Sequence, residues 1–140
     1  MIYPEDIVVS KDLNGSPQKK KLNEILSDEM ILDIGPKTLK KIENIIDNSK
    51  TILWNGPAGY FENPSFANGS IQIAKKIIDN NKINKIFSVA GGGDTVSLLN
   101  NLNLVSNFNF VSTAGGAFLE YLEGKNLPGI KALNQNDRTK

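Results

Sequence analysis

The chain has 140 residues, 39% of them hydrophobic and 22% charged, with a net charge of +1. That length suits one domain with a real core, and the near-neutral balance gives no electrostatic case for nucleic acid or anionic membrane. The absence of cysteine and histidine excludes disulfides, thiolate nucleophiles, Cys or His metal ligands and imidazole chemistry.

Apolar runs and amphipathic segments alternate along the chain. Asp6 to Ser10 reads as a first strand. The polar stretch from Lys11 to Asp28 reads as a loop or excursion, and its Lys19-Lys20-Lys21 run as a solvated face. Met30 to Ile34 is a short strand closed by Gly35-Pro36. Pro36 suits the first turn of a helix, whose apolar positions Leu39, Ile42, Ile45 and Ile46 fall at helical spacing. Thr51 to Trp54 is a strand, with Trp54 expected in the core. It ends at Asn55-Gly56-Pro57, and a loop follows to about Pro64. Ser65 is expected to cap a helix with the apolar face Phe66, Ile73, Ala74, Ile77 and Ile78, closed by Asn80 and Asn81. Lys85 to Ala90 is the next strand and Thr95 to Leu102 its helix, and Phe108 to Ser112 is the last strand. The turn Thr113 to Gly116 leads into a helix through Leu122, with Gly124 placed to terminate it and Pro128 beyond.

Strand runs without polar alternation imply burial on both faces. The pattern predicts an α/β fold, a three-layer α/β/α arrangement around a mostly parallel, Rossmann-like sheet with right-handed crossovers. The domain is expected to occupy residues 1–133, with a polar tail from 134 to 140. No apolar run approaches the ~20 residues needed to span a bilayer. The start MIYPEDIVVS has no basic region or apolar core of a secretory signal, so the cytoplasm is the expected location.

Ligands of parallel sheets sit outside the carboxyl ends of the strands. Four glycine-bearing turns fall at such ends: Gly35-Pro36, Asn55 to Gly59, Gly91 to Gly93, and Gly115-Gly116. The most telling is KIFSVAGGGDTVSLL, Lys85 to Leu99, which reads as strand, tight turn, helix. Such a turn directs backbone N–H groups and a helix N-terminus at one place, which suits a phosphate. Neither a P-loop G-x-x-x-x-G-K-[ST] nor a G-x-G-x-x-G fingerprint is present. Two readings of Asp94 and Thr95 stay open. They are caps of their own helix, or a Mg²⁺ carboxylate and a phosphate ligand. Glu62, after Phe61 in a loop, is either a solvated acid or an acceptor for ribose hydroxyls. Of 16 basic residues only Arg138 is arginine, in the polar tail. Arginine is the preferred clamp for phosphates and carboxylates, so a complete phosphoryl-transfer site is not expected here.

Five segments, in this order, resemble the C-terminal third of phosphoglycerate kinases: DIGPKT at Asp33 to Thr38, WNGPAGYFE at Trp54 to Glu62, FANGS at Phe66 to Ser70, GGGDT at Gly91 to Thr95, and STAGGAFLEYLEGKNLPGIKAL at Ser112 to Leu133. The resemblance runs from about Tyr3 to Leu133. It implies the nucleotide side of a two-domain glycolytic kinase that transfers a phosphoryl group between 1,3-bisphosphoglycerate and ADP, with Mg²⁺. By that resemblance Glu62 contacts the ribose. Gly92, Gly93, Asp94 and Thr95 hold the nucleotide phosphates and the metal, with Asp94 the metal ligand. Asn55 lies near the phosphates. Gly115 and Gly116, at a helix start, face the transferring phosphoryl group.

The chain departs from the family pattern at Ala114, where glycine is usual, and at Phe118, where serine is usual. It also has Tyr60 where a valine or alanine flanks the adenine, and Ile31 where a small residue is common. The phosphoglycerate-binding N-terminal domain, with its basic site, and the first half of the nucleotide domain have no counterpart in these residues. The expectation is therefore a C-terminal portion of an ATP/ADP-dependent kinase, inactive alone. In its intact form that kinase would be monomeric and would meet 3-phosphoglycerate only through the absent domain. The alternatives are a non-catalytic nucleotide-binding module and a half-protein that pairs with a separately encoded N-terminal half. No nucleic acid or membrane partner is expected.

Overall fold

A computed structural model describes residues 1–136. The strands form two three-stranded sheets. In the first, β1 (Asp6–Ser10) is central, with β2 (Gln18–Lys21) and β3 (Met30–Ile34) antiparallel on either side. In the second, β4 (Thr51–Asn55), β5 (Phe87–Gly91) and β6 (Phe110–Val111) run parallel in that order. The helices are α1 (Pro36–Asp47), α2 (Asn68–Asn84), α3 (Gly93–Asn101), α4 (Gly116–Leu122) and α5 (Pro128–Asn136). None of the described helices is long and apolar enough to cross a membrane.

The α/β class and the parallel sheet match the sequence reading, but β1 and β3 do not join that sheet. They pair antiparallel with each other, with a register irregularity between Val8 and Val9. Apolar runs such as DIVVS report burial and carry no information about strand direction. The expected excursion after Lys11 contains β2, whose Lys19 and Lys21 are exposed while Lys20 is half-buried and holds Glu29 at 2.7 Å. A polar edge strand of this kind has no hydrophobic signal.

The main core lies between α1, α2, α3 and one face of the parallel sheet. Leu39, Ile46, Trp54, Ile73, Ala74, Ile77, Ala90, Leu98 and Leu99 pack together there. Trp54 stacks on Phe108 with ring centroids 6.2 Å apart. The predicted face of α2 is buried throughout, whereas Ile45 of α1 is 45% exposed beside the outer edge of β4.

Two local expectations are corrected. Ser65 caps nothing: Asn63 accepts its amide at 2.9 Å in a short 3-10 turn, Pro64–Phe66, and α2 starts after it. Asn80 and Asn81 do not end α2, which runs to Asn84 and stops at Lys85 with φ +50°. Instead, Asn80 donates to Asp47 Oδ1 and Lys76 O at 3.0 Å each. Asn81 donates to Ser88 Oγ at 2.7 Å and Asn107 O at 2.8 Å. Their side chains thus tie the helix to its neighbours, while Asn80 also bonds a backbone carbonyl of its own helix. The sequence also gave no sign of α5, which takes in residues 134–136. The rest of the expected tail, including Arg138, lies outside the described residues.

The DIGPKT segment is a joint between the two halves. Asp6 Oδ1 accepts the Thr38 amide at 2.8 Å and Oδ2 accepts the Lys37 amide at 3.0 Å, so a carboxylate from β1 caps α1. Thr38 Oγ1 in turn accepts the Asp6 amide at 3.1 Å. Burial pushes the Asp6 carboxyl up, but these amides, the Thr38 hydroxyl and the Lys37 charge outweigh it and hold it below the usual range.

Candidate functional site

Strands β4 and β5 are neighbours in register, so Asn55 at the end of one lies opposite Gly91 at the end of the other. The turns that follow, Asn55 to Tyr60 and Gly91 to Thr95, therefore leave the sheet side by side at its carboxyl edge. Two contacts fasten them. Thr95 is fully buried, and its Oγ1 accepts the Gly56 amide at 2.7 Å. Gly92 adopts φ +88° and lies directly against Asn55 Oδ1, so a Cβ there would strike the amide oxygen. Both the positive φ and the close approach require glycine.

Helix α3 starts immediately after this turn. Its N-cap is Gly92, no side chain caps it, and the helical bond from Val96 N–H to Gly92 O is 3.0 Å long. Neither Asp94 nor Thr95 caps the helix. The amides of Gly93, Asp94 and Thr95 thus carry the positive end of the helix dipole without a side-chain acceptor. Asp94 is exposed in this first turn. Among the described residues no cluster of metal-ligating side chains surrounds it. A metal at Asp94 would therefore take its remaining ligands from elsewhere. That fits Mg²⁺, which commonly binds through one or two carboxylates, water and substrate phosphates.

The loop to Glu62 is held from below. The Ala58 amide donates to the buried Ser70 Oγ at 2.8 Å, and the Tyr60 amide to Leu32 O at 2.7 Å. Glu62 itself is exposed. Tyr60, expected beside an adenine, packs its side chain on Val8, Leu32 and Phe66, so the smaller core claims it. Ile31 is 56% exposed on β3.

Gly115 and Gly116 stand at the start of α4, with Gly115 at φ +56°, no side-chain cap, and Gly116 exposed. They belong to the turn after β6 and reach the same edge by the β5–β6 pairing of Ala90 with Val111. Phe118 on α4 lies over Gly91, close enough that a Cβ there would meet its Cδ1 at 2.6 Å. The aromatic ring thus covers the root of the glycine turn.

Sequence reasoning missed the residues that support the site from behind. Thr95 as a latch to Gly56, Ser70, and Asp33 beneath the Gly59 and Gly69 backbone belong to this group. Asp33 is 2% exposed, and its Oδ2 accepts the Gly69 amide at 2.8 Å at the start of α2. These bonds span 12 to 39 residues of sequence, and no local pattern announces them.

The family model for phosphoglycerate kinase matches residues 1–125. The phosphoglycerate kinase of Zymomonas mobilis is 46% identical over 132 residues, covering 93% of this chain and 33% of its own length. That of Caulobacter vibrioides is 45% identical over 135 residues, covering 95% and 34%. Among solved structures, phosphoglycerate kinase from Coxiella burnetii superposes with a TM-score of 0.85 at 39% identity, over 95% of this chain and 34% of that one. The Pyrococcus horikoshii enzyme gives a TM-score of 0.79 at 32% identity, over 94% and 32%. The chain spans about a third of the length of the curated relatives it matches.

Proposed function

The chain belongs to the phosphoglycerate kinase family, and from that premise we propose that it forms the Mg-nucleotide wall of a phosphoglycerate kinase site. The complete reaction is ATP + 3-phosphoglycerate ⇌ ADP + 1,3-bisphosphoglycerate. One observation carries the reading. Two glycine turns are fastened together at the carboxyl ends of adjacent parallel strands, beside an uncapped helix N-terminus with a free carboxylate.

Each residue then has a task. The amides of Gly92, Gly93 and Asp94 receive phosphate oxygens, and the positive end of α3 favours their charge. Asp94 holds Mg²⁺ through a carboxylate oxygen. Mg²⁺ held there would supply positive charge to offset the phosphate oxygens. Thr95, through Gly56, keeps the two turns at a fixed spacing, and Asn55 orients beside the phosphates. Glu62 accepts hydrogen bonds from the ribose hydroxyls. Gly115 and Gly116 leave the backbone open where the transferring phosphoryl group arrives. The 3-phosphoglycerate side is contributed by residues outside this chain. A glycolytic role places the protein in the cytoplasm.

Calorimetric titration with Mg-ADP tests the reading. Wild-type chain binds with a dissociation constant in the millimolar range or below. Asp94→Ala weakens binding about tenfold, or ~1.4 kcal/mol. Equal heats from both proteins would remove Asp94 from the site.

A further inference from the structure

Asparagine followed by glycine is among the least durable pairs in a polypeptide, because glycine has no Cβ to shield its amide nitrogen from the asparagine side chain. The chain holds three such pairs, Asn14-Gly15, Asn55-Gly56 and Asn68-Gly69. All three asparagines are exposed, so side-chain exposure does not rank them. Ring closure uses the glycine amide nitrogen as the nucleophile. The partner of that N–H therefore decides which pair reacts.

Two pairs are guarded. The Gly56 amide donates to Thr95 Oγ1 at 2.7 Å, and Thr95 is fully buried. Asn55 is also held through its side chain, with Oδ1 lodged against Gly92. The Gly69 amide donates to Asp33 Oδ2 at 2.8 Å in the first turn of α2, and Asp33 is 2% exposed. To react, either nitrogen must leave a buried oxygen without its donor, which is costly.

The third pair has no such guard. Asn14-Gly15 lies in the turn between β1 and β2. Its Gly15 amide reaches only the Asp12 carbonyl, at 3.3 Å, beyond the usual range of such a bond. The neighbouring bonds stop short of it. Asp12 Oδ1 accepts the Asn14 amide at 2.8 Å, and Asn63 Nδ2 donates to the Leu13 carbonyl at 2.7 Å. Neither engages the Asn14 side chain or the Gly15 amide. Packing nevertheless imposes the glycine, since a Cβ at position 15 would strike the buried Ser10 at Oγ.

We propose that Asn14-Gly15 is a site of spontaneous deamidation, and that Thr95 and Asp33 protect Asn55 and Asn68 from the same reaction through the glycine amides they hold. Water is the only co-reactant. The Gly15 nitrogen gives its proton to a solvent base and bonds to Asn14 Cγ. The Cγ–Nδ2 bond breaks, and Nδ2 leaves as ammonia with a proton from solvent. Water then opens the succinimide ring at either carbonyl, giving aspartate or isoaspartate with no change of oxidation state. On the nucleotide reading, a carboxylate at Asn55 would repel the phosphate oxygens beside it, so the Thr95 hydroxyl preserves the site. The deamidation chemistry itself does not depend on that reading.

The test incubates the purified chain in mildly alkaline buffer, with and without guanidinium chloride. Peptides are then mapped by mass spectrometry that separates asparagine, aspartate and isoaspartate. In the folded chain Asn14 converts at least about tenfold faster than Asn55 or Asn68, the factor that one hydrogen bond supplies. In denaturant the three rates converge. Thr95→Val raises the Asn55 rate about tenfold and leaves Asn14 and Asn68 unchanged. Thr95→Ser, which keeps the hydroxyl, holds Asn55 at the wild-type rate. An Asn14 as slow as the other two in the folded chain overturns the proposal, as does an Asn55 rate indifferent to Thr95→Val. Equal acceleration of Asn55 and Asn68 in Thr95→Val also overturns it, because protection then belongs to folding in general and not to the hydroxyl.

Discussion

A polypeptide of these 140 residues turns over 1,3-bisphosphoglycerate and ADP at least about 10³-fold more slowly than a full-length phosphoglycerate kinase. Phosphoryl transfer is driven by positioning and by stabilising charge on the moving group. The groups assembled at the β4 and β5 ends are amides, a hydroxyl, an asparagine and the carboxylates of Asp94 and Glu62, with no lysine or arginine among them. A single cationic clamp on the transferring group is worth about 10³ to 10⁵ in rate in comparable systems. The only arginine of the chain is Arg138. A coupled assay with the purified chain decides the matter, and a rate within tenfold of the full-length enzyme contradicts the account.

Asp33→Ala lowers the stability of the chain by about 3 kcal/mol, with a fall in Tm of roughly 10 °C, because one buried and one half-buried amide lose their acceptor together. Oδ1 accepts the Ile34 amide and Oδ2 the Gly69 amide, each at 2.8 Å. The carboxylate also fills the space against Gly59, where a Cβ would meet Oδ1 at 2.6 Å. Loss of Asp33 therefore loosens both the start of α2 and the loop that carries Glu62. Asp33→Asn is milder, since its amide oxygen replaces only one acceptor.

The pH dependences of Asp33 and Asp6 have opposite signs. Burial pushes the Asp33 carboxyl up against the pull of the Gly69 and Ile34 amides. Its folded state prefers the proton, so its contribution is greatest below the unfolded value and declines as pH rises through the folded one. Asp6 is held low, so its contribution is present above the unfolded value and is lost as pH falls through the folded one. Thermal melts across the acid range show the acid-side loss of stability reduced in Asp6→Asn, while in Asp33→Asn the decline on the higher-pH side is reduced. Melting curves of the two variants that parallel wild type at every pH contradict these assignments.

What the sequence disclosed was local. Gly35-Pro36 before a helical repeat located α1, and the apolar run ending in three glycines located β5 and α3. Strand partnership was not disclosed, because Ile7, Val8 and Val9 are buried in an antiparallel sheet as fully as a parallel strand would be. The site followed the same division. Gly92 and Asp94 were picked out as candidates from turn chemistry at a strand end, and Asn55 only through the family resemblance. Thr95, by contrast, was read as a cap or a phosphate ligand, and its buried bond to Gly56 appears only when β4 and β5 are placed side by side. Ile45 shows the limit from the other direction. Its helical spacing predicts burial, yet it is 45% exposed beside the outer edge of β4.

The central claim is that the Gly91–Thr95 and Asn55–Glu62 turns jointly bind Mg-nucleotide. Amide-resolved NMR titration of the chain with ADP, in the presence and absence of Mg²⁺, tests it most directly. The account predicts shifts concentrated in Asn55 to Glu62 and Gly91 to Val96, strengthened by Mg²⁺, and reduced in Asp94→Ala. Shifts absent from both turns at millimolar Mg-ADP, or located elsewhere on the surface, would contradict it.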